Sequence, residues 1–489
     1  MKKYIGIDLG TSSVKILLVD TEGQIIKTVS REYPISYPQS GWSEQNPTDW
    51  YNATIDGLGE LLDGVDKDTV KGISFGGQMH GLVILDENDE VIRPAILWND
   101  GRTAKQTAYL NEVIGQDKLM EYTANIAFAG FTAPKILWVK ENEPENFVRI
   151  KKIMLPKDYL AYKLSGVFAT DYSDASGMLL LDVKNRCWSK EMCDICSVNI
   201  DTLPTLFESY EKTGTLLPEI AKELGLEEIT IAIGAGDNAG AAIGTGISKG
   251  GACNVSLGTS GTVFISQDTF VNNECGALHN FCHANGKYHL MGCILSAASC
   301  NKWWVEEILG SGDFRAEEDG LLSLIGDNDV YFLPYLMGER TPHNDVDAKG
   351  AFIGMRPSTT RKEMTLAVLE GVAFALRDSI ELAKASGCKI EATKVCGGGA
   401  KSEVWRKILA NVFGIPVVRP LIEEGPAYGG AILAMVADGI YSNVEIATDK
   451  LVKEKDITYP VDEIVQKYEK KYQAFKKMYP ALKNIYKEI

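Results

Sequence analysis

The segment Asp8–Ser13, "DLGTSS", joins two runs of apolar residues, and the segment Ser256–Gly261, "SLGTSG", does the same in the second half of the chain. Around the first segment, "KYIGIDLGTSSVKILLVDTEGQIIKTVSREYPI" predicts a three-stranded antiparallel meander, because short polar turns separate its apolar runs. Around the second, "GACNVSLGTSGTVFISQD" again predicts a strand, a turn and a strand. The same turn in the same context indicates duplicated domains, although the second copy lacks the acid of the first.

The length of the chain and the order of its elements predict two domains. A chain of 489 residues is too long for one hydrophobic core. Predicted strands and helices alternate in both halves, as in "ATKVCGGGAKSEVWRKILANVFGIPVVRP", and Asn46 and Pro47 are typical of the start of a helix. We therefore expect two α/β domains, an N-terminal one over residues 1–245 and a C-terminal one over residues 246–489.

Charge and composition limit the partners of the chain. Its formal net charge of -16 disfavours a surface for nucleic acid or anionic membrane, since phosphate attraction needs clustered Lys and Arg. No apolar run approaches the roughly 18 residues of a membrane span, and Asp8 interrupts the first apolar run before a signal peptide could form. The ten cysteines are scattered, so we expect reduced thiols in a cytoplasmic protein.

The motifs that usually mark nucleotide sites are missing from the sequence. It has no P-loop, no Gly-x-Gly-x-x-Gly and no His-Arg-Asp motif. A Gly-Thr-Ser turn nevertheless offers backbone amides and small hydroxyls to phosphate oxygens, and two such turns across a cleft would hold a polyphosphate from both sides. Either turn alone could equally be a tight hairpin. In "GAGDNAG", Asp237 stands among small residues at the predicted start of a helix, where its carboxylate could reach a ligand or serve as an N-cap.

The segment "CGALHNFCHANGKYH" contains residue types that bind zinc. These are Cys275, His279, Cys282, His283 and His289. Because the adjacent Cys282 and His283 would be an unusual pair of ligands, we do not expect a zinc site here.

A set of motifs, taken together, resembles the FGGY family of carbohydrate kinases, part of the structural group of actin and Hsp70. The motifs are "DLGTSSVK", "GQMHG", "LWNDGR", "LPKDYL", "GAGDNAGAAIG", "SLGTSG", "FCHA", "GERTPHN" and "GGGAKSEVWR". They run nearly end to end, and "GFTAPKILWVKEN" and "GAFIGMRPSTTRKEMTLAVLE" are similar to the two signatures of the family. The resemblance implies two actin-like (ribonuclease H-like) domains with a cleft between them.

Within the family, "GQMHG" and "LWND" are typical of kinases acting on D-xylulose, so the resemblance implies ATP- and Mg²⁺-dependent phosphorylation of D-xylulose to D-xylulose 5-phosphate. It implies that Asp237 is the general base and that Asp8 organises magnesium and the transferred phosphate. For the sugar it implies Met79, His80 and Asn238, with Trp98 a weaker candidate. For ATP it implies Gly10, Thr11, Ser12 and Thr259 at the phosphates, and Gly397, Gly398, Gly399 and Ser402 at the adenosine. Phosphoryl transfer depends on charge neutralisation and positioning, which these residue types can supply.

Two alternatives stay open at the level of sequence. The first is a related kinase acting on ribulose, a hexonate or glycerol, although glycerol kinases are expected to carry Arg-Glu where this chain has Met79-His80. The second is a non-metabolic ATPase of the same structural group, such as a filament former or chaperone. Such an ATPase has no use for a polyol pocket beside the γ-phosphate. Homodimers are common in the family, so a homodimer is also open.

Overall fold

The computed structural model describes residues 1–273 and 276–489. The strands are β1 (Lys3–Leu9), β2 (Ser13–Asp20), β3 (Ile25–Glu32), β4 (Glu44–Gln45), β5 (Val70–Gly77), β6 (Val83–Leu85), β7 (Ala95–Ile96), β8 (Lys152–Met154), β9 (Ala169–Asp171), β10 (Leu181–Asp182), β11 (Cys187–Trp188), β12 (Thr205–Phe207), β13 (Lys212–Thr215), β14 (Thr230–Ala232), β15 (Ala235–Gly236), β16 (Cys253–Leu257), β17 (Gly261–Gln267), β18 (His279–Cys282), β19 (Tyr288–Ile294), β20 (Tyr331–Leu333), β21 (Ala351–Ile353), β22 (Thr393–Cys396), β23 (Val417–Pro420) and β24 (Glu454–Thr458).

The α-helices are α1 (Pro47–Leu62), α2 (Ala104–Ala108), α3 (Gln116–Thr123), α4 (Thr132–Asn142), α5 (Pro144–Phe147), α6 (Pro156–Ser165), α7 (Tyr172–Ala175), α8 (Lys190–Cys196), α9 (Pro218–Leu224), α10 (Asp237–Gly244), α11 (Ala298–Lys302), α12 (Phe314–Glu318), α13 (Arg361–Ala385), α14 (Glu403–Phe413), α15 (Gly425–Ala437), α16 (Val444–Leu451), α17 (Asp462–Phe475) and α18 (Met478–Tyr486). Short 3-10 turns lie at Lys67–Thr69, Ser176–Met178, Ile200–Thr202, Leu321–Leu324 and Gly398–Lys401, and π-helical turns at Tyr109–Gly115 and Trp303–Ile308. Helix α1 begins at Pro47, and the Asn46 side chain accepts a hydrogen bond from the amide of Thr48, which confirms the predicted start.

The first sheet contains the predicted meander. Strands β1, β2 and β3 are antiparallel neighbours in the order β13–β14–β5–β1–β2–β3, and β5 is parallel to β1. The apolar runs of β1 and β2 are almost entirely buried, because helices cover both faces of this sheet. The sequence was sufficient to predict these three strands because apolar runs and turn residues are local signals.

The second sheet repeats this arrangement. Its order is β18–β19–β17–β16–β22–β23–β24, with β16 antiparallel to β17 and parallel to β22, as β1 is to β2 and β5. The predicted strand, glycine turn, helix and strand correspond to β22, the 3-10 turn, α14 and β23. Each "GTS" turn therefore joins the central strand of its sheet to an antiparallel neighbour.

Helix α15, from the second half of the chain, packs on the sheet of the first half. A methyl group added at Gly6 on β1 would lie only 1.8 Å from the carbonyl oxygen of Ala427. At the crossing of α15 with α10, a methyl group at Gly429 would lie 1.9 Å from the carbonyl oxygen of Gly240. Only glycine permits these approaches. The domain bounds at residues 245 and 246 stay a prediction, and α15 lies beyond them.

The histidines of the segment "CGALHNFCHANGKYH" lie in a packed interior. The rings of His279 and Phe281 stack at 5.5 Å, and those of His289 and Phe264 stack at 4.0 Å. Cys275 lies outside the described residues. Among residues 1–273 and 276–489, no group of three or more His, Cys, Asp or Glu side chains is arranged to hold a metal ion. Nor does any helix in residues 1–273 and 276–489 have the length and apolar character needed to cross a bilayer.

Candidate active site

Two predicted site carboxylates, Asp8 and Asp237, line one cavity of about 290 Å³. Asp8 lies near the end of β1, and Asp237 is the first residue of α10. The N-cap of that helix is Gly236, so the Asp237 carboxylate is not an N-cap. Residues of the second half of the chain, including Ser256 and Gly397, line the same cavity. The fold therefore brings the first residue of each repeated segment, Asp8 and Ser256, into one cavity with the predicted acid Asp237.

The Asp8 carboxylate is buried and lies near a second carboxylate, that of Asp237. Burial, and after it the nearby charge of Asp237, raise the pKa of Asp8 to about 7, while the charge of Lys15 opposes both effects. Lys15 is itself engaged, because its ammonium donates a hydrogen bond of 2.9 Å to Glu424. Two carboxylates in a cavity that phosphates would enter form an oxygen-rich donor set of the kind that Mg²⁺ prefers. The residues present thus fit a divalent cation.

The Asp237 carboxylate is held through one of its oxygens. Its Oδ1 accepts hydrogen bonds from the backbone N of Asn238 at 2.6 Å and from the Asn238 Nδ2 at 2.9 Å. Its Oδ2 accepts no hydrogen bond from residues 1–273 and 276–489. Burial raises the pKa of Asp237 to about 6, and the two bonds from Asn238 oppose that rise. Asp237 is therefore mostly ionised at neutral pH and has one oxygen available to accept a proton.

Met79 and His80 follow β5, and Met79 lies beside Asn238. The Met79 sulfur is 3.9 Å from the Asn238 Nδ2. His80 has a left-handed backbone with φ of 68°, and its Nδ1 lies 2.9 Å from the carbonyl oxygen of Gly177. Since a carbonyl only accepts, Nδ1 carries the proton, and burial lowers the pKa of His80 to about 3. The ring is therefore neutral, and its Nε2 is a hydrogen-bond acceptor.

Trp98 contacts the first turn. Its Nε1 donates a hydrogen bond of 3.0 Å to the Thr11 hydroxyl, and the side chain is 43% exposed. The turn is closed by a bond of 3.0 Å from the backbone N of Gly10 to the carbonyl oxygen of Ser13. Gly10, Thr11 and Ser12 lie outside the walls of the cavity that contains Asp8.

A second cavity, of about 880 Å³, contains half of the residues predicted for the nucleotide. Thr259, Gly398, Gly399 and Ser402 line it, and its volume suits a nucleotide-sized ligand. Gly397, next to Gly398, lines the first cavity, so the two cavities meet at the glycine turn. This glycine has φ of 87°, and a methyl group on it would lie 2.7 Å from the carbonyl oxygen of Leu257.

Several lining residues were missed from the sequence. The first cavity is also lined by Lys15, Glu423, Glu424, Gly425 and Pro426, and the second by Lys302, Phe314, Arg315, Glu318 and Trp405. The small residues of "GPAYGGAILA" at the start of α15 were the available signal for the first group. Close helix packing needs small residues, but their pattern does not identify the partner surface.

Comparisons with known proteins agree with this geometry. The model of the N-terminal domain of the FGGY family of carbohydrate kinases matches residues 3–244, and that of the C-terminal domain matches residues 253–437. A xylulose kinase of Bacillus subtilis is 40% identical over 473 residues, which cover 96% of this chain and 95% of that protein. A xylulose kinase of Escherichia coli is 43% identical over 441 residues, 89% of this chain and 90% of that protein.

The fold gives the same result. The structure of a ligand-bound xylulose kinase from Lactobacillus acidophilus superposes with a TM-score of 0.95 at 25% identity, covering 100% of both chains. The predicted fold of two actin-like α/β domains is therefore confirmed. Because both domain models match in chain order and the relatives extend over nearly the whole length, the chain belongs to the FGGY family of carbohydrate kinases.

Proposed function

We propose that this chain transfers the γ-phosphoryl group of ATP to the terminal hydroxyl of D-xylulose, giving D-xylulose 5-phosphate and ADP. The observation that carries the proposal is the position of Asp237. Asp237, whose Oδ2 accepts no hydrogen bond from residues 1–273 and 276–489, lines a cavity together with Asp8 and Gly397, and its neighbour Asn238 contacts Met79. The similarity to proteins named xylulose kinases supports the choice of substrate.

In this proposal Asp237 acts as the general base. A carboxylate that is ionised at neutral pH accepts the proton of the attacking hydroxyl as the oxygen–phosphorus bond forms. The two hydrogen bonds from Asn238 fix the orientation of the carboxylate and help to keep it ionised. The proton is then held on Asp237 until the product leaves.

Asp8 would hold Mg²⁺. The cation, when bound, supplies charge neutralisation at the phosphates. This assignment is supported by the raised pKa of Asp8, since a cation would relieve the repulsion between Asp8 and Asp237. Ser256, in the matching position of the second sheet, would meet phosphate oxygens directly.

His80 and Met79 would bind the sugar. The neutral His80 ring offers its Nε2 to a sugar hydroxyl, while Met79 packs against the carbon chain. Asn238 has amide hydrogens near Met79, and Trp98 would close the wall beside the first turn. These four residues and Asp237 belong to the proposed N-terminal domain, residues 1–245.

ATP would lie across both turns. Thr259, Gly398, Gly399 and Ser402 would border the adenosine side, in the larger cavity. Gly397 would approach the phosphates where the two cavities meet, and Gly10, Thr11 and Ser12 would face them from the first turn. The nucleotide would thus be bound mainly by the proposed C-terminal domain, residues 246–489.

The test is ADP release by the purified protein with Mg-ATP and each of D-xylulose, D-ribulose, D-xylose, xylitol, glycerol and D-gluconate. We expect D-xylulose to give the highest kcat/KM, and ³¹P–¹³C coupling in the product to place phosphate on C5. The Asp237→Asn variant is the control for contaminating kinases. If no sugar stimulates ADP release, the proposal is wrong. If another sugar is preferred, the kinase assignment stands and the substrate is corrected.

A further inference from the structure

The motif "GERTPHN" contains an arginine, Arg340, whose backbone is fixed to the second sheet. The Glu339 Oε1 accepts a hydrogen bond of 3.0 Å from the backbone N of Leu295. Thr341 donates its backbone N–H to the carbonyl oxygen of Cys293 at 3.0 Å, and its hydroxyl accepts from the Cys293 N at 3.1 Å. Residues on both sides of Arg340 are therefore tied to β19 and the residue after it, so the position of its Cα is determined by the sheet.

The guanidinium of Arg340 has no polar partner in the described parts of the chain. It forms no ion pair or hydrogen bond with residues 1–273 and 276–489, and its central carbon lies 5.3 Å from the centre of the Phe128 ring. The residue is partly buried. A guanidinium carries five N–H donors, and no side chain or backbone acceptor in residues 1–273 and 276–489 engages those of Arg340. Such a group is suited to a ligand that supplies the acceptors.

The aromatic contacts around Arg340 lead to the candidate sugar residues. Phe128 lies against Phe131 at 5.4 Å, and Phe131 stacks on the His80 ring at 4.7 Å. The charge of Arg340 is one of the causes that lower the pKa of His80, which places the two groups near each other. On its other side, His80 is the chain neighbour of Met79. The Met79 sulfur contacts Asn238, and Asn238 donates a hydrogen bond to Asp237. A continuous series of contacts thus connects Arg340, through the aromatic rings and His80, to the residues beside the proposed base.

We propose that Arg340 is a substrate-binding residue that donates hydrogen bonds to the C1 hydroxyl and C2 carbonyl oxygens of the ketose. The inference rests on the proposed function, in which Asp237 faces the hydroxyl at C5. The guanidinium has a planar fork of donors, and the two oxygens of an α-hydroxyketone are neighbours on one side of the chain, so one fork can bind both. A polyol lacks the carbonyl acceptor, so the contact would favour ketoses over polyols.

The proposal also assigns part of sugar recognition to the second half of the chain. His80, Met79 and Asp237 come from the first half, whereas Arg340 comes from the segment held on β19. Complete recognition of the ketose then requires both halves to close on it.

The test is a comparison of two substrates and four proteins. Kinetic constants are measured for D-xylulose and 1-deoxy-D-xylulose with the wild type, Arg340→Met, Arg340→Lys and a control, Arg356→Met. Arg356 has an exposed side chain, 69% accessible, paired only loosely with Asp329 at 3.4 Å. We expect Arg340→Met to raise the KM for D-xylulose about tenfold or more, with the KM for ATP and the melting temperature close to those of the control.

The decisive result is whether the substitution changes the ratio of the kinetic constants for the two substrates. The wild type should discriminate against 1-deoxy-D-xylulose, and Arg340→Met should lose most of that discrimination, because the contact with the C1 oxygen is already gone. The discrimination shown by Arg340→Lys should lie between that of the wild type and that of Arg340→Met. If Arg340→Met is unstable, Arg340→Lys provides the same test. An unchanged KM for D-xylulose, or the same fold loss on both substrates, would overturn the inference. A wild type that does not phosphorylate D-xylulose would instead overturn the proposed function.

Discussion

The strongest test of the proposed base is the pH dependence of kcat/KM for D-xylulose. Because burial raises the pKa of Asp237 to about 6, the carboxylate is protonated below that pH and cannot accept the hydroxyl proton. The rate should therefore fall as the pH decreases. At pH 5 only about one-eleventh of the molecules would have ionised Asp237, so the titration of this group alone should make kcat/KM about 11-fold lower than at pH 8. An aspartate with an ordinary pKa would lose less than about a tenth of its activity over the same range.

The Asn238→Ala variant tests whether Asp237 is the group that titrates. The Asn238 side chain donates a hydrogen bond of 2.9 Å to Asp237, and this bond lowers the pKa of the carboxylate. A hydrogen bond to a charged group contributes about 1.5 to 3 kcal/mol. Its loss should therefore raise the apparent pKa of the acid limb, the fall of kcat/KM on the acidic side of the pH profile, by about one to two pH units. Loss of the sugar contact would lower kcat/KM at every pH without moving the limb.

The reaction is quenched at fixed times at saturating Mg-ATP, and the ADP is measured by chromatography. Direct measurement of ADP avoids a coupling enzyme, which would add its own pH dependence. Asn254→Ala is the matched control, because Asn254 lines the same cavity but bonds to Cys396 instead of Asp237. Its acid limb should coincide with that of the wild type. A limb that is unmoved or lowered in Asn238→Ala would refute the assignment of Asp237 as the titrating base.

The other predictions concern single contacts. Asp237→Asn should lower kcat about 10² to 10⁴-fold with little change in ATP affinity by equilibrium titration, and a variant that keeps more than about a tenth of the activity would place the base elsewhere. His80→Ala should mainly raise the KM for D-xylulose, by about the 0.5 to 1.5 kcal/mol of one hydrogen bond, and unchanged kinetics would remove His80 from the site. Ser256→Asp should weaken ATP binding about tenfold or more, since unit charges about 5 Å apart at a dielectric of about 20 repel by roughly 3 kcal/mol. Asp8→Asn should instead lower kcat and flatten the response to magnesium, measured as rate against free Mg²⁺, and wild-type magnesium dependence would contradict the role of Asp8.

The sequence predicted those parts of the fold that depend on neighbours along the chain. The meander of β1 to β3 and the helix start at Asn46 follow from apolar runs, turn residues and a capping side chain, all within a few residues. The docking of α15 on β1 could not be predicted in this way. It depends on Gly6 and Gly429 meeting backbone atoms of distant segments, and a single glycine carries no information about its partner.

The same limit applies to the candidate site. Asp237 was identified because small residues flank it at a helix start, and the structure places it in a cavity with Asp8. The protonation of His80 could not be predicted, because it depends on the carbonyl of Gly177, far away in sequence. Arg340 was visible only as part of a motif, since its lack of a polar partner in residues 1–273 and 276–489 is a property of the folded chain.

The difference between the two turns has a physical basis in the registers of the two sheets. Asp8 on β1 is paired with Lys15 on β2, whereas the equivalent Ser256 on β16 is paired with Thr262 on β17. In the first strand pair, an acid therefore lies opposite a lysine. In the second strand pair, two neutral hydroxyl residues lie opposite each other. A carboxylate at Ser256 would lack that opposing lysine, and it would face bound phosphate oxygens without a cation between them. In the proposed function, one copy of the duplicated turn would meet a metal-bound phosphate, and the other would contact a phosphate directly.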